Sequence, residues 1–319
     1  MADETKNKEE NKRESNGENK GENKGENKEE QQYLDLIRTI LETGSLETGG
    51  RNGTVKSIFG STMRFSLQNG QVPILTSKKT AWKTCLKELL WFISGSTDNQ
   101  KLIDKGVHIW NGNGSREFLD SRGLVHLKEN DLGPVYGHQW RHFNATYTDK
   151  NTDYNGKGVD QLQKIIDCLK DPEQRYSRRL VMSAWNPQQL DEMALPPCHI
   201  MAQFNVSHGN KLSCSLYQRS ADVGLGMPFN IASYAFLTHI LAKHCDLEAY
   251  EFVYMVGNCH IYEEHFDALN GQLLMQNELH PFPTIEINST YENINDYKIE
   301  DIQVFNYKCN NAISMKMIV

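Results

Sequence analysis

Residues 231–242, with the sequence IASYAFLTHILA, constrain the fold more than any other stretch of the chain. Apolar side chains occupy nearly every position, which predicts a helix that is apolar on all sides rather than on one face. Such a helix has to be buried all round. A membrane span needs roughly 20 apolar residues, and no apolar run in the chain approaches that length. We therefore expect this helix at the centre of a folded domain, and no membrane partner.

Further helices and several strands are predicted around it. An opening helix is expected from Tyr33, where apolar residues recur at helical spacing, to a stop at Gly44. Other expected elements are helices at Ala81–Ile93 and Val159–Leu169, and strands at Leu180–Trp185, Ile200–Val206, Leu212–Tyr217 and Glu251–Val256. Because helices and strands mix without a regular βαβ alternation, the pattern favours an α+β fold.

Composition divides the chain into two parts. Residues 1–32 are low in complexity and include a tandem GENK repeat at Gly17–Lys28 that has no apolar residue to bury, so we expect a disordered tail. Residues 33–319 are expected to form one catalytic domain. The net charge of −7 gives no support to a broad DNA-binding surface, which would need Lys and Arg in excess.

The cysteines indicate a reducing compartment. Seven are scattered without a C-x-x-C pair, which argues against a disulfide framework and against a structural zinc site. A cytoplasmic location and no bound metal fit this pattern. Two glycine-rich stretches also fail as nucleotide motifs, because residues 50–57 lack the Gly-Lys-Ser/Thr of a P-loop and residues 224–229 lack the third glycine of a dinucleotide fingerprint.

Cys198 is a candidate nucleophile. It follows two prolines in the segment ALPPCH at 194–199, a setting that fixes the backbone around the sulfur. A packed thiol explains an isolated cysteine equally well. The following stretch, however, holds Arg219, Asp222 and Asn230 next to the helix that should be buried, and such groups are costly there without partners or ligands.

Four segments together resemble the thymidylate synthase family. They are PPCH at 196–199, LYQRSADVGLGMPFNIASY at 216–234, LGPVYGHQWRHF at 132–143 and KELLWFISGST at 87–97. The resemblance extends from about Tyr33 to Val319, and GNGSR at 112–116 is similar to a loop of the eukaryotic-type enzymes. It implies a large mixed β-sheet flanked by helices, and a homodimer that associates through the sheets.

The resemblance also implies a methyltransferase reaction. Deoxyuridine monophosphate (dUMP) would be reductively methylated to thymidylate (dTMP). The co-substrate 5,10-methylenetetrahydrofolate would give both the one-carbon unit and the hydride and leave as dihydrofolate. The partners expected are therefore dUMP, folate and a second copy of the chain.

Catalytic roles then fall on matched positions. A thiolate that adds to C6 of uracil makes C5 nucleophilic, which is the role of Cys198, and a nearby guanidinium would lower the thiol pKa. Asn230 offers uracil a donor and an acceptor. The full catalytic set is Cys198, Glu88, Arg219, Tyr136, Asp222 and Asn230.

Two binding sets complete the expectation. The dUMP set is Arg51, Arg178, Arg179, Gln218, Arg219, Ser220, Asp222, Asn230, His260 and Tyr262. By family resemblance, the adjacent pair Arg178 and Arg179 comes from the other subunit. The folate set is Ile109, Trp110, Leu195, Asp222, Leu225, Gly226, Phe229 and Ile318, with Met315–Val319 closing over the folate.

Several departures and alternatives stay open. The loop at Arg51 is one residue short, Asn258 replaces an Asp, residues 307–311 differ from the family pattern, and residues 173–177 lengthen a loop. A deoxyuridylate hydroxymethylase would use the same cysteine and folate. A Cys-His hydrolase would pair Cys198 with His199, His260 or His265, and a non-catalytic nucleotide- or RNA-binding dimer is the third alternative.

Overall fold

A six-stranded mixed β-sheet forms the centre of the protein. The computed structural model describes residues 27–50, 53–275 and 278–318. The strands are β1 (Ser45–Gly50), β2 (Gly53–Ser66), β3 (Val181–Ser183), β4 (His199–Ser207), β5 (Lys211–Asp222), β6 (Glu248–Tyr262), β7 (Thr284–Ile287) and β8 (Ile302–Phe305). The main sheet has the order β1-β2-β6-β5-β4-β3, while β7 and β8 form a separate antiparallel pair. Within the main sheet, β5 and β6 are parallel and the other neighbours are antiparallel.

Helices pack against this sheet and against one another. They are α1 (Lys28–Thr43), α2 (Trp82–Ile93), α3 (Gln100–Ile103), α4 (Asn111–Gly114), α5 (Arg116–Ser121), α6 (Tyr136–His142), α7 (Gln161–Lys170), α8 (Gly226–His244) and α9 (Phe266–Leu274). Helix α8 contacts β5, β6 and α2, and α1 contacts β2 and β6. The predicted α+β class with a large mixed sheet is confirmed.

The apolar helix is the core element that the sequence predicts. Helix α8 is buried over almost all of its length. It begins at Gly226 rather than Ile231, because Pro228 falls in its first turn, where a missing N–H costs no helical hydrogen bond. Asn230 therefore lies on the helix. No helix in the described ranges, α8 included, is long and apolar enough to cross a membrane.

Helix α1 begins earlier than the apolar pattern predicts. It starts at Lys28 instead of Tyr33, because the Asn27 side chain accepts a hydrogen bond from the Glu30 N–H and caps the helix. Glu30 is fully buried, and its carboxylate accepts hydrogen bonds from the backbone of Thr76 and Ser77. Residues 28–32, assigned to the tail by composition, are thus helical. Residues 1–26 lie outside the described residues, so the disordered tail stays a prediction.

Strands β5 and β6 continue past their apolar segments. The apolar runs predict strands that end at Tyr217 and Val256, but pairing persists until Asp222 lies opposite His260. Gly257 permits this close pairing, because a Cβ there would lie 2.7 Å from the Arg219 carbonyl oxygen. The extension carries polar residues to one end of the sheet.

The face of the sheet opposite α8 lies open in the described part of the chain. Met201, Tyr217 and Met255 lie side by side on β4, β5 and β6. Met201 is 40% exposed, and Phe59 on β2 is 84% exposed. An uncovered apolar sheet face of this kind is typical of a surface that another chain covers.

Candidate active site

One end of the sheet gathers most of the sequence-predicted residues. Cys198 immediately precedes β4, and the strand pairing puts the start of β4 beside the end of β5. Arg219, Ser220 and Asp222 lie at the C-terminal end of β5, and Asp222 is paired with His260 on β6. Three separate stretches of sequence therefore meet at this end of the sheet.

Two hydrogen bonds hold the backbone of Cys198, one to a side chain and one to the main chain. Its N–H donates to Tyr136 Oη at 2.7 Å, and its carbonyl accepts from the Arg219 N–H at 2.9 Å. Tyr136 is the first residue of α6 and is buried. The thiol is consequently fixed between α6 and β5.

The Arg219 guanidinium binds the loop that presents the thiol. Nε donates to the Pro197 carbonyl at 2.8 Å, Nη2 donates to the Pro196 carbonyl at 3.1 Å, and Nη2 lies 3.8 Å from Cys198 Sγ. The ring of Trp185 lies beneath the guanidinium, 5.6 Å from its carbon, a distance that favours a cation–π contact. Arg219 forms no ion pair with a carboxylate within the described residues, and the charged group near Asp222 is His265.

Two opposed effects set the pKa of the Cys198 thiol. Burial raises it above its ordinary value, and the Arg219 guanidinium lowers it by a smaller amount. The net pKa is raised, because the free-energy cost of removing a thiolate from water exceeds the stabilisation that one guanidinium near 4 Å gives to the thiolate. The expected lowering by Arg219 is present, but burial outweighs it.

Glu88 lies in α2 and faces Trp110. The indole Nε1 donates to the Glu88 carboxylate at 2.7 Å. Burial raises the pKa of Glu88 to about 7, and this hydrogen bond opposes the rise. The carboxyl group can therefore both gain and lose a proton near neutral pH. Trp110 also packs edge-on against Tyr136, with ring centroids 6.2 Å apart, which connects Glu88 to the Cys198 loop.

Asp222 organises the turn between β5 and α8. Its carboxylate accepts hydrogen bonds from the N–H groups of Gly224 at 2.8 Å and Leu225 at 3.3 Å. Two buried side chains hold the same turn from below. Tyr33 Oη donates to the Val223 carbonyl at 2.9 Å, and Lys78 Nζ donates to the Gly224 carbonyl at 2.5 Å.

Two polar side chains at this edge are left for a ligand. Asn230, on the second turn of α8, and Ser220, near the end of β5, make no side-chain hydrogen bond to any other described residue. Both are partly exposed. The Asn230 carboxamide lies 4.0 Å from the position that a Cβ on Gly226 would take, so Gly226 keeps the space beside it open.

Three further residues of the predicted dUMP set differ in their contacts and burial: His260, Tyr262 and Gln218. His260 Nδ1 is bonded to Asn258 Oδ1 at 2.9 Å, so the Asn that departs from the family pattern still orients the ring. Burial lowers the pKa of His260. Tyr262 packs edge-on against it at 5.1 Å. Gln218 is buried, and its amide is engaged by Tyr254 Oη and by the Ser220 carbonyl.

Part of the predicted folate set lies next to the Asp222 turn, and the rest packs against the core. Ile109, Leu195 and Phe229 are partly buried against the core, and Trp110 is 7% exposed. Leu225 and Gly226 begin α8, and Ile318 belongs to the C-terminal segment Ile313–Ile318. Met315 of that segment reaches Gly224, because a Cβ on this glycine would lie 3.2 Å from Met315 Sδ.

The arginine pair lies away from this group. Arg178 and Arg179 are exposed and precede β3. Val181 pairs with Gln203, four positions along β4 from His199, so the pair is separated from Cys198 by at least about 13 Å of strand. Arg51 lies outside the described residues.

His199 is buried but is not bonded to the thiol. Its ring stacks on Tyr136 with centroids 4.0 Å apart, and Nδ1 is bonded to Tyr234 Oη at 2.8 Å. Burial lowers its pKa to about 3, so the ring is neutral. No described histidine forms a hydrogen bond with Cys198, so a Cys-His dyad of a hydrolase is not formed.

Lys78 and His265 lie beside the predicted folate residues at the Asp222 turn, and the sequence analysis did not assign them there. Each is buried and bonded to the turn or to the C-terminal segment. A lysine in an otherwise ordinary loop gives no signal in the sequence. His265 carried a signal only as a possible partner of Cys198.

Over the described ranges, no group of three His, Cys, Asp or Glu side chains could hold a metal ion. All seven cysteines are free thiols.

Comparison with known proteins identifies what the chain is similar to. A family model described as thymidylate synthase matches residues 31–319. Bifunctional dihydrofolate reductase-thymidylate synthases of Zea mays and Paramecium tetraurelia are each 50% identical over 91% of this chain, which covers 54% and 61% of those proteins. A Schizosaccharomyces pombe protein described as a probable thymidylate synthase is 50% identical over 91% of this chain and 47% of its own length. The chain thus spans about half the length of these relatives.

Proposed function

Since the chain belongs to the thymidylate synthase family, we propose that it converts dUMP to dTMP with 5,10-methylenetetrahydrofolate as co-substrate. The observation that carries this proposal is the Cys198 thiol, held by Tyr136 and lying 3.8 Å from the Arg219 guanidinium. A fixed, partly exposed thiol beside a cation is what addition to an electron-poor ring requires.

Cys198 supplies the nucleophile for the pyrimidine. Its thiolate bonds to C6 of uracil, and the electron pair of the C5–C6 bond moves towards O4, so that C5 becomes nucleophilic. Because burial raises the pKa of the thiol, deprotonation depends on added positive charge or on a base at the site. Arg219 provides the charge, and binding of the phosphate to this same group would place the ring over the sulfur.

Glu88 and Tyr136 handle protons. With a pKa of about 7, Glu88 can donate a proton to O4 while the ring carries negative charge and take one back later. Tyr136 Oη lies at the Cys198 N–H, close enough to the bound ring to order a water that removes the C5 proton. C5 loses this proton after gaining the one-carbon unit.

Asn230, Ser220 and His260 recognise the nucleotide. The unbonded Asn230 carboxamide can accept from N3–H and donate to O4 of uracil, which cytosine cannot match without leaving a buried group unpaired. Ser220 adds a hydroxyl for the phosphate. His260, with Nδ1 engaged by Asn258, leaves Nε2 for the 3′-hydroxyl, alongside Tyr262.

The side chains of the predicted folate set have the chemistry that the co-substrate needs, namely apolar surface for its ring and a carboxylate for its N–H groups. When bound, methylenetetrahydrofolate supplies the methylene carbon and the hydride and leaves as dihydrofolate. Half-buried apolar side chains at Ile109, Leu225 and Phe229 can pack on a flat ring, and the Asp222 carboxylate can accept from its N–H groups. The C-terminal segment, already seated at Gly224, excludes water.

We further propose a homodimer that shares two sites. The open sheet face with Met201, Tyr217 and Met255 supports association through the sheets, and a second copy would bring exposed Arg178 and Arg179 to the phosphate. Two guanidinium groups would then join Arg219 and, from outside the described residues, Arg51. A cytoplasmic location is proposed from the free cysteines.

Turnover with product identification tests the function. Purified protein with dUMP and methylenetetrahydrofolate should give dTMP and an equal amount of dihydrofolate, followed by absorbance and by mass. Cys198→Ala should abolish turnover and retain nucleotide binding, whereas Cys168→Ala, at a remote free thiol, should retain both. Preserved turnover in Cys198→Ala would refute the nucleophile assignment.

Two further outcomes bear on the alternatives. Formation of hydroxymethyl-dUMP with tetrahydrofolate would identify a deoxyuridylate hydroxymethylase, which the synthase relatives do not favour. Mixing Arg178→Ala with Cys198→Ala chains should restore part of the activity through hybrid dimers. Absence of recovery despite subunit exchange would argue against shared sites.

A further inference from the structure

His265 lies where the C-terminal segment meets the Asp222 turn. Its side chain is fully buried at the start of α9. Nε2 is bonded to the Lys316 carbonyl at 2.8 Å, and Nδ1 lies 3.8 Å from Asp222 Oδ1. A Cβ on Gly224 would come within 2.9 Å of Nδ1, so only glycine lets the imidazole approach the turn this closely.

The contacts of the two ring nitrogens define a protonation state. A carbonyl oxygen can only accept, so Nε2 must carry a proton in order to bind Lys316. Nδ1 is buried and has no hydrogen-bond partner in the described structure. In the neutral ring its lone pair would face the Asp222 carboxylate, whereas in the imidazolium an N–H would face it.

Other charged and titratable groups surround the ring. Asp222 and the Lys316 carbonyl raise the pKa of His265, burial of the ring and the charge of Lys78 lower it, and the net pKa is raised. His260 on β6 is influenced by His265, and Tyr262 contacts its ring edge-on at 5.6 Å. Asp222 is the only one of these groups that pairs with His265 in opposite charge.

We propose that His265 is a positioning residue that, as an imidazolium, holds the C-terminal segment closed on the Asp222 turn. This proposal rests on the proposed function, in which that segment covers the folate. Closure is then linked to pH. Because the Lys316 carbonyl is one of the groups that raise the His265 pKa and contacts the ring when the segment is closed, closure is favoured at low pH and weakens as pH rises through that raised value. Nucleotide recognition through Asn230 and Ser220 does not involve His265, so it should depend less on this protonation.

Tryptic cleavage after Lys316 tests closure without relying on activity. Release of Met317–Val319 is followed by mass between pH 6 and pH 9, and each rate is divided by that for a free peptide of residues 308–319, which removes the pH dependence of trypsin. Protection should fall with increasing pH in the wild type. A tenfold fall in protection corresponds to a difference of one unit between the pKa values of His265 in the closed and open states.

His265→Gln separates the hydrogen bond from the charge. Its side-chain N–H can still donate to Lys316, but it cannot become a cation, so protection should be weaker and independent of pH. His126→Gln, at an exposed histidine, is the control and should follow the wild type. Flat protection in the wild type, or an unchanged pH dependence in His265→Gln, would overturn the proposal.

Kinetics provide the second readout. His265→Gln should raise the KM for methylenetetrahydrofolate severalfold at pH 6.5 and less at pH 8.5, with the KM for dUMP changed little. Equal changes in both KM values, together with a lower melting temperature, would indicate a merely structural role. A wild type that forms no dTMP would refute the proposed function, while the cleavage result would still decide the role of His265.

Discussion

Replacing Trp110 with Phe should shift the pH at which Glu88 titrates. The indole N–H is the only hydrogen bond to the Glu88 carboxylate in the described structure, at 2.7 Å, and it opposes the rise in pKa that burial causes. A hydrogen bond to an ionised group contributes roughly 1.5–3 kcal/mol. Because about 1.4 kcal/mol corresponds to one pKa unit, its loss should move the Glu88 pKa from about 7 upwards by roughly one to two pH units.

The assay is the pH dependence of kcat, measured by dihydrofolate absorbance with both substrates saturating. The limb on which activity falls with rising pH, because Glu88 loses the proton that it donates to O4, should move to higher pH by that amount. Trp91→Phe is the matched control, because its indole N–H donates to the Asp98 carbonyl and not to Glu88, although its ring packs against Trp110. Weaker folate binding alone would change KM and leave the limb in place. An unmoved limb in Trp110→Phe, or an equal shift in Trp91→Phe, would refute the reasoning.

Three further outcomes are expected. Glu88→Gln should be more stable than the wild type at pH 8 by up to about 3 kcal/mol. The folded wild type favours protonated Glu88, so its free energy of unfolding decreases as pH rises from 4.5 through about 7. Denaturant unfolding that shows no gain at pH 8, or an equal gain at pH 4.5, would contradict this. Tyr33→Phe should lower the free energy of unfolding by about 1–3 kcal/mol, because it leaves the buried Val223 carbonyl without its donor, and thermal unfolding with an unchanged midpoint would count against it. Asn230→Asp should shift relative binding from deoxyuridylate towards deoxycytidylate, as calorimetry with both nucleotides can measure; an unchanged ratio would argue that Asn230 does not read the base.

The sequence predicts the fold where burial sets the residue pattern. Helix α8 was predicted because nearly every position is apolar, and the cores of β4, β5 and β6 were predicted for the same reason. Strand β2, which has 14 residues, was not predicted, because exposed residues interrupt its buried positions. The predicted ends were less accurate, since β3 (Val181–Ser183) is shorter than the predicted Leu180–Trp185 and β5 and β6 are longer than predicted. Strands β5 and β6 run on to Asp222 and Tyr262, because pairing between them sustains extended backbone where polar residues interrupt the apolar pattern.

The same cause limits prediction of the site. Motifs identified Cys198, Arg219 and Asp222 as chemical groups, but not their partners. That Arg219 would bind the carbonyls of Pro196 and Pro197 follows from three-dimensional proximity, as those prolines lie more than 20 residues away in sequence. The net pKa of Cys198 depends on how deeply the thiol is buried, which no local pattern gives.

The bracing of the Asp222 turn by α1 has a practical consequence for shortening the chain. Tyr33 reaches the turn directly, and Glu30 reaches it indirectly through Thr76 and Ser77, which precede Lys78. The family match begins at residue 31. A version trimmed to that boundary would keep every candidate catalytic side chain named above, yet it would lose the Asn27 cap and the buried Glu30 carboxylate that support the Asp222 turn. Trimmed versions should therefore begin before Asn27.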